Sequence, residues 1–251
     1  MIVKETSANL SSATGSRSRL LNAAIADVRK WCVPSSEMVD GNRHPDTYWI
    51  ELFDAINSSE ITEWNAHQFL ITFKLANRLT WNKAALAALI SEIRSSATLE
   101  PAVSIPVLAY KLRDCNHRKT RQTSAASKIA FFAKPRATIF IWDSLASRSA
   151  RLRDWLREPQ GKKRASSSVY TDGNGEHDYP SFFGACERAL ADERSSSDFN
   201  NAVDLLEKEF RRGPGVMADR SKIPREFIEH RLLDKLMYWE GWSLKNKKLP
   251  N

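Results

Sequence analysis

One lysine and one aspartate stand in apolar surroundings near the middle of the chain. Lys128 is the only charged residue in the stretch "TSAASKIAFFA", and Asp143 ends the apolar run "IFIW". A lysine amine that is removed from water has a lowered pKa and becomes a nucleophile. Both residues also have ordinary interpretations. Lys128 could extend its amine to the surface, and Asp143 could be the N-cap of the helix predicted over "SLASRSARL".

The elements that must position these two residues are predicted to be helices. Apolar residues recur at helical spacing in at least eight segments, from "SRLLNAAIADVRKWC" to the final "PREFIEHRLLDKLMYWEGW". The best strand candidate is the short "ATIFIW", and Asn82 is a plausible N-cap. The pattern predicts an all-α protein with one domain over residues 1–251. Its lobes would be 16–104 with the C-terminal helices, and 105–160.

The positive charge of the chain is concentrated in one segment. The net charge is +8, and Leu108 to Arg164 contains fifteen Lys/Arg against four Asp/Glu, which leaves −3 for the rest. A local excess of this size is typical of proteins that bind polyanions, most often nucleic acid. A solvated basic face without a partner is the alternative.

Composition excludes several other classes of protein. No apolar stretch approaches the roughly 20 residues of a membrane helix, and the N-terminus has no signal-peptide pattern. Three widely spaced cysteines do not form a disulfide framework, and the histidines lack metal-ligand spacing. We therefore expect a cytoplasmic protein with no metal, no cofactor and no membrane contact. The sequence leaves the oligomeric state open, with a monomer as the first expectation.

Two further features carry no catalytic assignment. The polar, Ser- and Gly-rich segment 161–180 predicts a long mobile loop. Arg231 and Asp234 have the i,i+3 spacing of a surface ion pair on the last helix, and we expect that helix to act as a structural clamp.

The order of the central segments resembles the helix-hairpin-helix DNA glycosylases, and is closest to bacterial proteins with an oxoguanine-glycosylase-like fold. The resemblance covers Ile105 to Ser144. In it, "SIPVLAYKLRDC" corresponds to the first hairpin helix, "NHRKTRQTS" to the hairpin, "AASKIAFFAKP" to the second helix, and "ATIFIWDS" to the segment that carries the aspartate. The family hairpin is usually glycine-rich, whereas this one has no glycine, so basic side chains would have to contact the phosphates.

The resemblance implies a fold, a reaction and a set of residues. The fold would be two helical lobes around a cleft that binds double-stranded DNA. Lys128 would attack the anomeric carbon of a flipped nucleotide, Asp143 would stabilise the sugar cation, and Trp142 is the weak candidate for the base pocket. The implied DNA-binding residues are Arg118, Lys119, Arg121, Lys134, Arg136, Lys162, Lys163 and Arg164.

Alternative functions remain open from the sequence. Within the glycosylase interpretation, the residues do not separate DNA repair from antiviral defence, or base removal alone from base removal with strand cleavage. A non-catalytic helical nucleic-acid-binding protein is the main alternative, and the glycine-free hairpin favours it. A basic adaptor or toxin-type protein that binds a protein partner is the third.

Overall fold

A computed structural model describes residues 13–32, 44–53, 60–75, 82–96, 98–115, 121–157, 169–212 and 223–250. Within these ranges the chain forms ten α-helices and no β-strand, which confirms the all-α prediction. They are α1 (Ala13–Cys32), α2 (Asp46–Phe53), α3 (Glu63–Thr72), α4 (Lys83–Ser95), α5 (Pro101–Cys115), α6 (Thr123–Ala133), α7 (Ser144–Arg157), α8 (Tyr179–Arg194), α9 (Ser197–Arg212) and α10 (Arg225–Asn246).

Several helices begin at side chains that accept hydrogen bonds from the free backbone N–H groups of the first turn. Asn82 Oδ1 accepts from the Ala85 N–H at 3.0 Å, which confirms Asn82 as the N-cap of α4. Thr62 and Asn65 form a reciprocal capping box at the start of α3. The start of α3 and the start of α4 are therefore fixed by local sequence.

Helix α10 lies at the centre of the molecule and packs most extensively against α7 and α1. Its apolar side chains from Phe227 to Met237 are buried, among them Leu232 and Leu236. Near its C-terminal end, Gly241 lies against the backbone of Leu145, the second residue of α7. A Cβ atom at position 241 would lie 2.5 Å from the Leu145 carbonyl carbon and 2.9 Å from its Cα. Only glycine allows the two helices to approach so closely.

The segment predicted as a strand is extended and buried, but it pairs with no strand in the described part of the chain. Ile139 to Trp142 are at most 4% exposed. Side chains from helices satisfy its backbone instead: Tyr179 Oη donates to the Phe140 carbonyl at 2.8 Å, and Ser127 Oγ accepts from the Trp142 N–H at 2.9 Å. Since the hydrogen-bond partners are side chains, the segment needs no sheet.

Specific contacts position residues 169–178, which are part of the segment predicted as a mobile loop. An isolated bridge joins Thr171 to His177, and Asp172 Oδ1 accepts from two backbone N–H groups inside the turn. The Tyr170 N–H donates to Ser147 Oγ at 2.9 Å, and its hydroxyl donates to Asp154 at 2.7 Å. Residues 158–168 lie outside the described residues.

Within the described ranges, no helix combines the length and the apolar character that crossing a membrane would require.

Candidate active site

A cavity of about 370 Å³ opens between helices that are far apart in sequence. It lies among α1, the C-terminal end of α3, α6, the buried extended segment, and the middle of α10. Its walls combine aromatic rings with charges of both signs. The lining residues are Asp27, Lys30, Trp31, Thr72, Phe73, Lys74, Lys128, Ile141, Asp143, Arg231, Asp234, Lys235, Tyr238 and Trp239. Lys128 and Asp143, chosen from the sequence as candidate catalytic residues, both line this cavity.

Lys128 lies on the cavity side of α6, a helix whose other residues are mostly buried. Its Nζ donates a hydrogen bond to Ser124 Oγ at 3.1 Å, one turn earlier on the same helix. Burial lowers the pKa of the Lys128 amine to about 8, although the negative charges of Asp143 and Asp234 oppose the shift. The amine therefore reaches the cavity with an unusually large neutral fraction for a lysine.

Asp143 is the N-cap of α7 and also lines the cavity. Its interpretation as a helix cap and its interpretation as a candidate catalytic residue are therefore compatible. Its Oδ1 accepts from the Leu145 N–H at 2.7 Å, and its carbonyl accepts from the Ser147 N–H at 2.8 Å. The first bond is the N-cap interaction anticipated from the sequence. The cap therefore fixes the position of the carboxylate at the N-terminus of α7.

Ser127 links the two candidate catalytic residues. It is fully buried, and its Oγ accepts from the backbone N–H of Trp142. Ser127 precedes Lys128 and Trp142 precedes Asp143, so this one hydrogen bond sets the register between α6 and the segment that carries the aspartate. The sequence motif contains Ser127, but its partner could not be deduced from spacing.

Ser127→Ala should lower the free energy of unfolding by about 1–2 kcal/mol, because the buried Trp142 N–H would lose its acceptor. Thermal and urea unfolding measure this loss. Ser144→Ala is the matched control, since Ser144 is exposed at the start of α7, and it should change stability by less than about 0.5 kcal/mol. Equal effects of the two substitutions would contradict the linking role.

Arg231 and Asp234 form a buried ion pair, so the expectation of a surface pair is wrong. Arg231 Nη1 lies 2.8 Å from Asp234 Oδ2, and Arg231 Nε lies 2.7 Å from Asp46 Oδ2. Asp46 is the first residue of α2, so the arginine joins α10 to a helix near the other end of the chain. Burial raises the pKa of Asp234, although Lys235 and Arg231 oppose the shift. The pairing supports the clamp predicted for the last helix.

Four aromatic side chains of the cavity were not chosen from the sequence: Trp31, Phe73, Tyr238 and Trp239. Lys235 lies between two of them, with its Nζ 5.9 Å from the Trp31 ring and 5.8 Å from the Tyr238 ring. These rings come from α1, the end of α3 and α10. No local motif connects those segments, so only the tertiary fold identifies the set.

Two exposed lysines, Lys30 and Lys74, also line the cavity and were not predicted. Lys74 has a positive φ of 55°, in the left-handed region that lysine rarely occupies. Many helices end at a residue in this conformation, and Lys74 follows the C-terminal end of α3. Both lysines lie at the exposed edge of the cavity, where an anionic group of a ligand would make its first contact.

Trp142, the candidate for the base pocket, does not line this cavity. Its side chain is 1% exposed and stacks on His177 with ring centroids 4.7 Å apart. Phe182 contacts it edge-on. Side chains alternate direction along an extended segment, so the residue next to Asp143 points into the core.

The predicted DNA-binding residues have different environments. Arg121 pairs with Asp172 and Glu176 and lies over the Tyr110 ring, so its charge is neutralised inside the fold. Lys134 Nζ donates to the carbonyls of Arg94 and Ser96 at the C-terminal end of α4. Arg136 is exposed. The other five predicted residues, Arg118, Lys119, Lys162, Lys163 and Arg164, lie outside the described residues.

The positive excess of residues 108–164 is thus partly internal to the fold. Lys111, Arg153 and Arg157 also pair with carboxylates. Arg153 joins Glu193 to Glu240 and connects α7 with α8 and α10. These pairs reduce the charge that the described part of this segment offers to a partner.

No protein-family model, curated protein or solved structure matches the chain.

Proposed function

We propose that this protein is a DNA glycosylase that removes a damaged or modified base, with Lys128 and Asp143 as its catalytic residues. The observation that carries the proposal is that both side chains line one cavity, although fifteen positions separate them in the chain. Each could instead have pointed into the core or to a different surface, as the ordinary interpretations allow. Their common cavity supports a reaction in which both side chains act on one bound nucleotide.

The cavity supports the proposal by its size and its lining. Its volume of about 370 Å³ falls within the roughly 300–1,000 Å³ of small-molecule sites. Aromatic rings provide faces on which a flipped base stacks, and exposed lysines at the edge suit the flanking phosphates. The pair of consecutive helices α5 and α6 also fits the helix-hairpin-helix pattern. The Gln122 N–H before α6 donates to the Ala109 carbonyl of α5 at 3.1 Å.

The proposed reaction assigns one step to each residue. As the bond between C1′ and the base breaks, its electron pair leaves with the base and positive charge develops on the sugar. The Asp143 carboxylate stabilises that charge electrostatically. The neutral Lys128 amine then forms a bond to C1′ and loses a proton, and opening of the sugar ring gives a Schiff base. Subsequent elimination at the sugar would cleave the strand.

The low pKa of Lys128 gives this reaction a definite pH dependence. With a pKa of about 8, about a tenth of the amine is neutral at pH 7 and about nine tenths at pH 9. The single-turnover rate of Schiff-base formation should rise about tenfold per pH unit below pH 8 and level off above it. A rate that is flat through pH 8, or that keeps rising to pH 10, would contradict the assignment of this amine as nucleophile.

Base release is tested with a panel of duplex DNAs that carry single modified bases, together with modified phage DNA. Abasic sites are scored after alkali, and borohydride reduction traps any Schiff base. The wild type should release at least one base and form a covalent adduct, and Lys128→Gln should form no adduct. Release without an adduct would mean that water attacks instead. Binding of DNA without any base release across the panel would favour the non-catalytic nucleic-acid-binding protein.

A further inference from the structure

Two aromatic rings connect the cavity to the C-terminal end of α10. Trp239 lines the cavity, and its ring packs edge-on against the Trp242 ring with the centroids 5.4 Å apart. Trp242 is half-buried, lies about one turn further along α10, and does not itself line the cavity. The two rings therefore form a continuous aromatic surface from the cavity to the end of the helix.

Three lysines follow Trp242 within six positions. Lys245 is in the last turn of α10, three residues after Trp242, so the two side chains are neighbours on the helix surface. Lys247 ends the helix with a positive φ of 53°, and Lys248 then places its Nζ 5.3 Å from the centre of the Trp242 ring. An ammonium group over an aromatic face keeps its N–H donors available for an anion.

The charge of these lysines is not neutralised within the described part of the chain. All three are exposed, and none of them forms an ion pair with a carboxylate among the described residues. Arg121, which was predicted to bind DNA, instead pairs with Asp172 and Glu176. Lysines without acidic partners beside an aromatic ring are the combination with which proteins hold a nucleic-acid strand, because cations attract its phosphates and the ring packs against its bases.

Resting on the proposed function, we propose that Trp242, Lys245, Lys247 and Lys248 form a surface, the α10 patch, that binds the DNA strand where it leaves the cavity. The lysine amines contact phosphates on one side of the flipped nucleotide, and the Trp242 ring packs against the adjoining nucleotide. Because phosphates and ring faces are common to all nucleotides, the α10 patch does not select the base that is removed. It adds a DNA-binding surface outside the basic segment 108–164.

The first test replaces two lysines of the α10 patch. The double variant Lys245→Gln, Lys248→Gln should bind a DNA duplex with a tetrahydrofuran abasic analogue more weakly than the wild type. The slope of log K against log salt concentration should become shallower by about one unit per lysine. Fluorescence anisotropy of the labelled duplex between about 50 and 200 mM salt measures both quantities.

The matched control removes the same charge elsewhere. Lys83 on α4 and Lys208 on α9 are both exposed, and the double variant Lys83→Gln, Lys208→Gln should keep the wild-type salt slope. Equal effects of the two double variants would mean that only the net charge of the protein matters, and would overturn the α10 patch.

The second test separates the ring from the charges. Trp242→Leu should weaken binding of the same duplex by about fivefold or more and leave the salt slope unchanged, because packing against a ring releases no counterions. Trp242→Phe keeps an aromatic ring and should retain most of the affinity. Thermal unfolding verifies that both variants are folded. Wild-type affinity in Trp242→Leu would exclude the ring from the α10 patch.

The outcomes distinguish this inference from the proposed function. Base release by the wild type, with an unchanged salt slope in Lys245→Gln, Lys248→Gln, would overturn the α10 patch and leave the glycosylase intact. A shallower slope in that variant, with no base released from any DNA of the panel, would overturn the glycosylase and leave the α10 patch intact. If that variant instead lost binding to vesicles of anionic phospholipid and kept its affinity for DNA, the lysines would belong to a membrane-binding surface.

Discussion

Asp143→Asn should lower the single-turnover rate of base release by at least about 10²–10³-fold and leave the fold intact. The asparagine has nearly the shape of aspartate and keeps an oxygen that accepts from the Leu145 N–H. Because asparagine and aspartate are comparable N-caps, the free energy of unfolding should change by less than about 0.5 kcal/mol. The measurements are single-turnover kinetics on the best substrate of the panel and thermal unfolding by circular dichroism.

The same substitution separates two roles that a carboxylate near Lys128 could have. Asp143 raises the pKa of Lys128, so its neutralisation should lower that pKa and increase the neutral fraction of the amine at pH 7. If Asp143 acted only through the lysine charge, Asp143→Asn would therefore release the base faster. A lower rate of base release would instead indicate that the Asp143 carboxylate stabilises the positive charge on the sugar.

Asp143→Ala provides the structural control for this position. It removes both the charge and the cap, so it should lose the same activity and about 1 kcal/mol of stability in addition. Near-wild-type base release by Asp143→Asn would exclude Asp143 from the proposed role, whatever its effect on stability.

Gly241→Ala should destabilise the protein by roughly 2–4 kcal/mol, which is large for the addition of one methyl group. The new Cβ would lie 2.5 Å from the Leu145 carbonyl carbon, and neither helix backbone has a flexible atom that could move aside. Helix α7 would have to shift away from α10. Since Asp143 immediately precedes α7, the shift should also displace the carboxylate from the cavity and lower base release.

Gly184→Ala is the matched control for Gly241→Ala. Gly184 lies inside α8, and a Cβ there would meet a terminal guanidinium nitrogen of Arg188, a flexible side chain, at 3.4 Å. Alanine has the higher helix propensity, so Gly184→Ala should stabilise the protein by about 0.5–1 kcal/mol. Urea unfolding midpoints measure both variants. A neutral or stabilising result for Gly241→Ala would mean that the helices are not held at the separation seen here.

The sequence predicted the parts of the site that depend on local pattern. Helical periodicity located α6, and a single charge in an apolar helix identified Lys128. The end of an apolar run identified Asp143, because a carboxylate stops such a run whatever the fold. Both residues lie at the cavity, and their catalytic role is still a prediction.

Other parts of the site depend on contacts between distant segments and could not be predicted from the local sequence. Trp31 and Trp239 have the same periodic spacing as core residues, and only the packing of α1 against α10 brings them to the cavity. Trp142 is next to Asp143 in the chain but does not line the cavity, because adjacent side chains of an extended segment point in opposite directions. Arg121 lies in a basic segment, but its acidic partners Asp172 and Glu176 follow about fifty positions later in the chain. The net charge of the segment alone therefore overestimates the positive charge that it exposes.

The buried pair of Asp46 and Arg231 has a consequence for how the chain acquires its site. The two residues are separated by 185 positions, and α10 supplies five of the cavity's lining residues. During synthesis the apolar faces that pack on α10 therefore stay exposed to solvent until α10 has been synthesised. The earlier helices cannot complete their packing before that point. Contacts of this range slow folding and leave nascent chains prone to aggregation. A chain that stops before residue 225 would lack five of the fourteen residues that line the cavity. We therefore expect the candidate activity only in molecules whose synthesis is complete through α10.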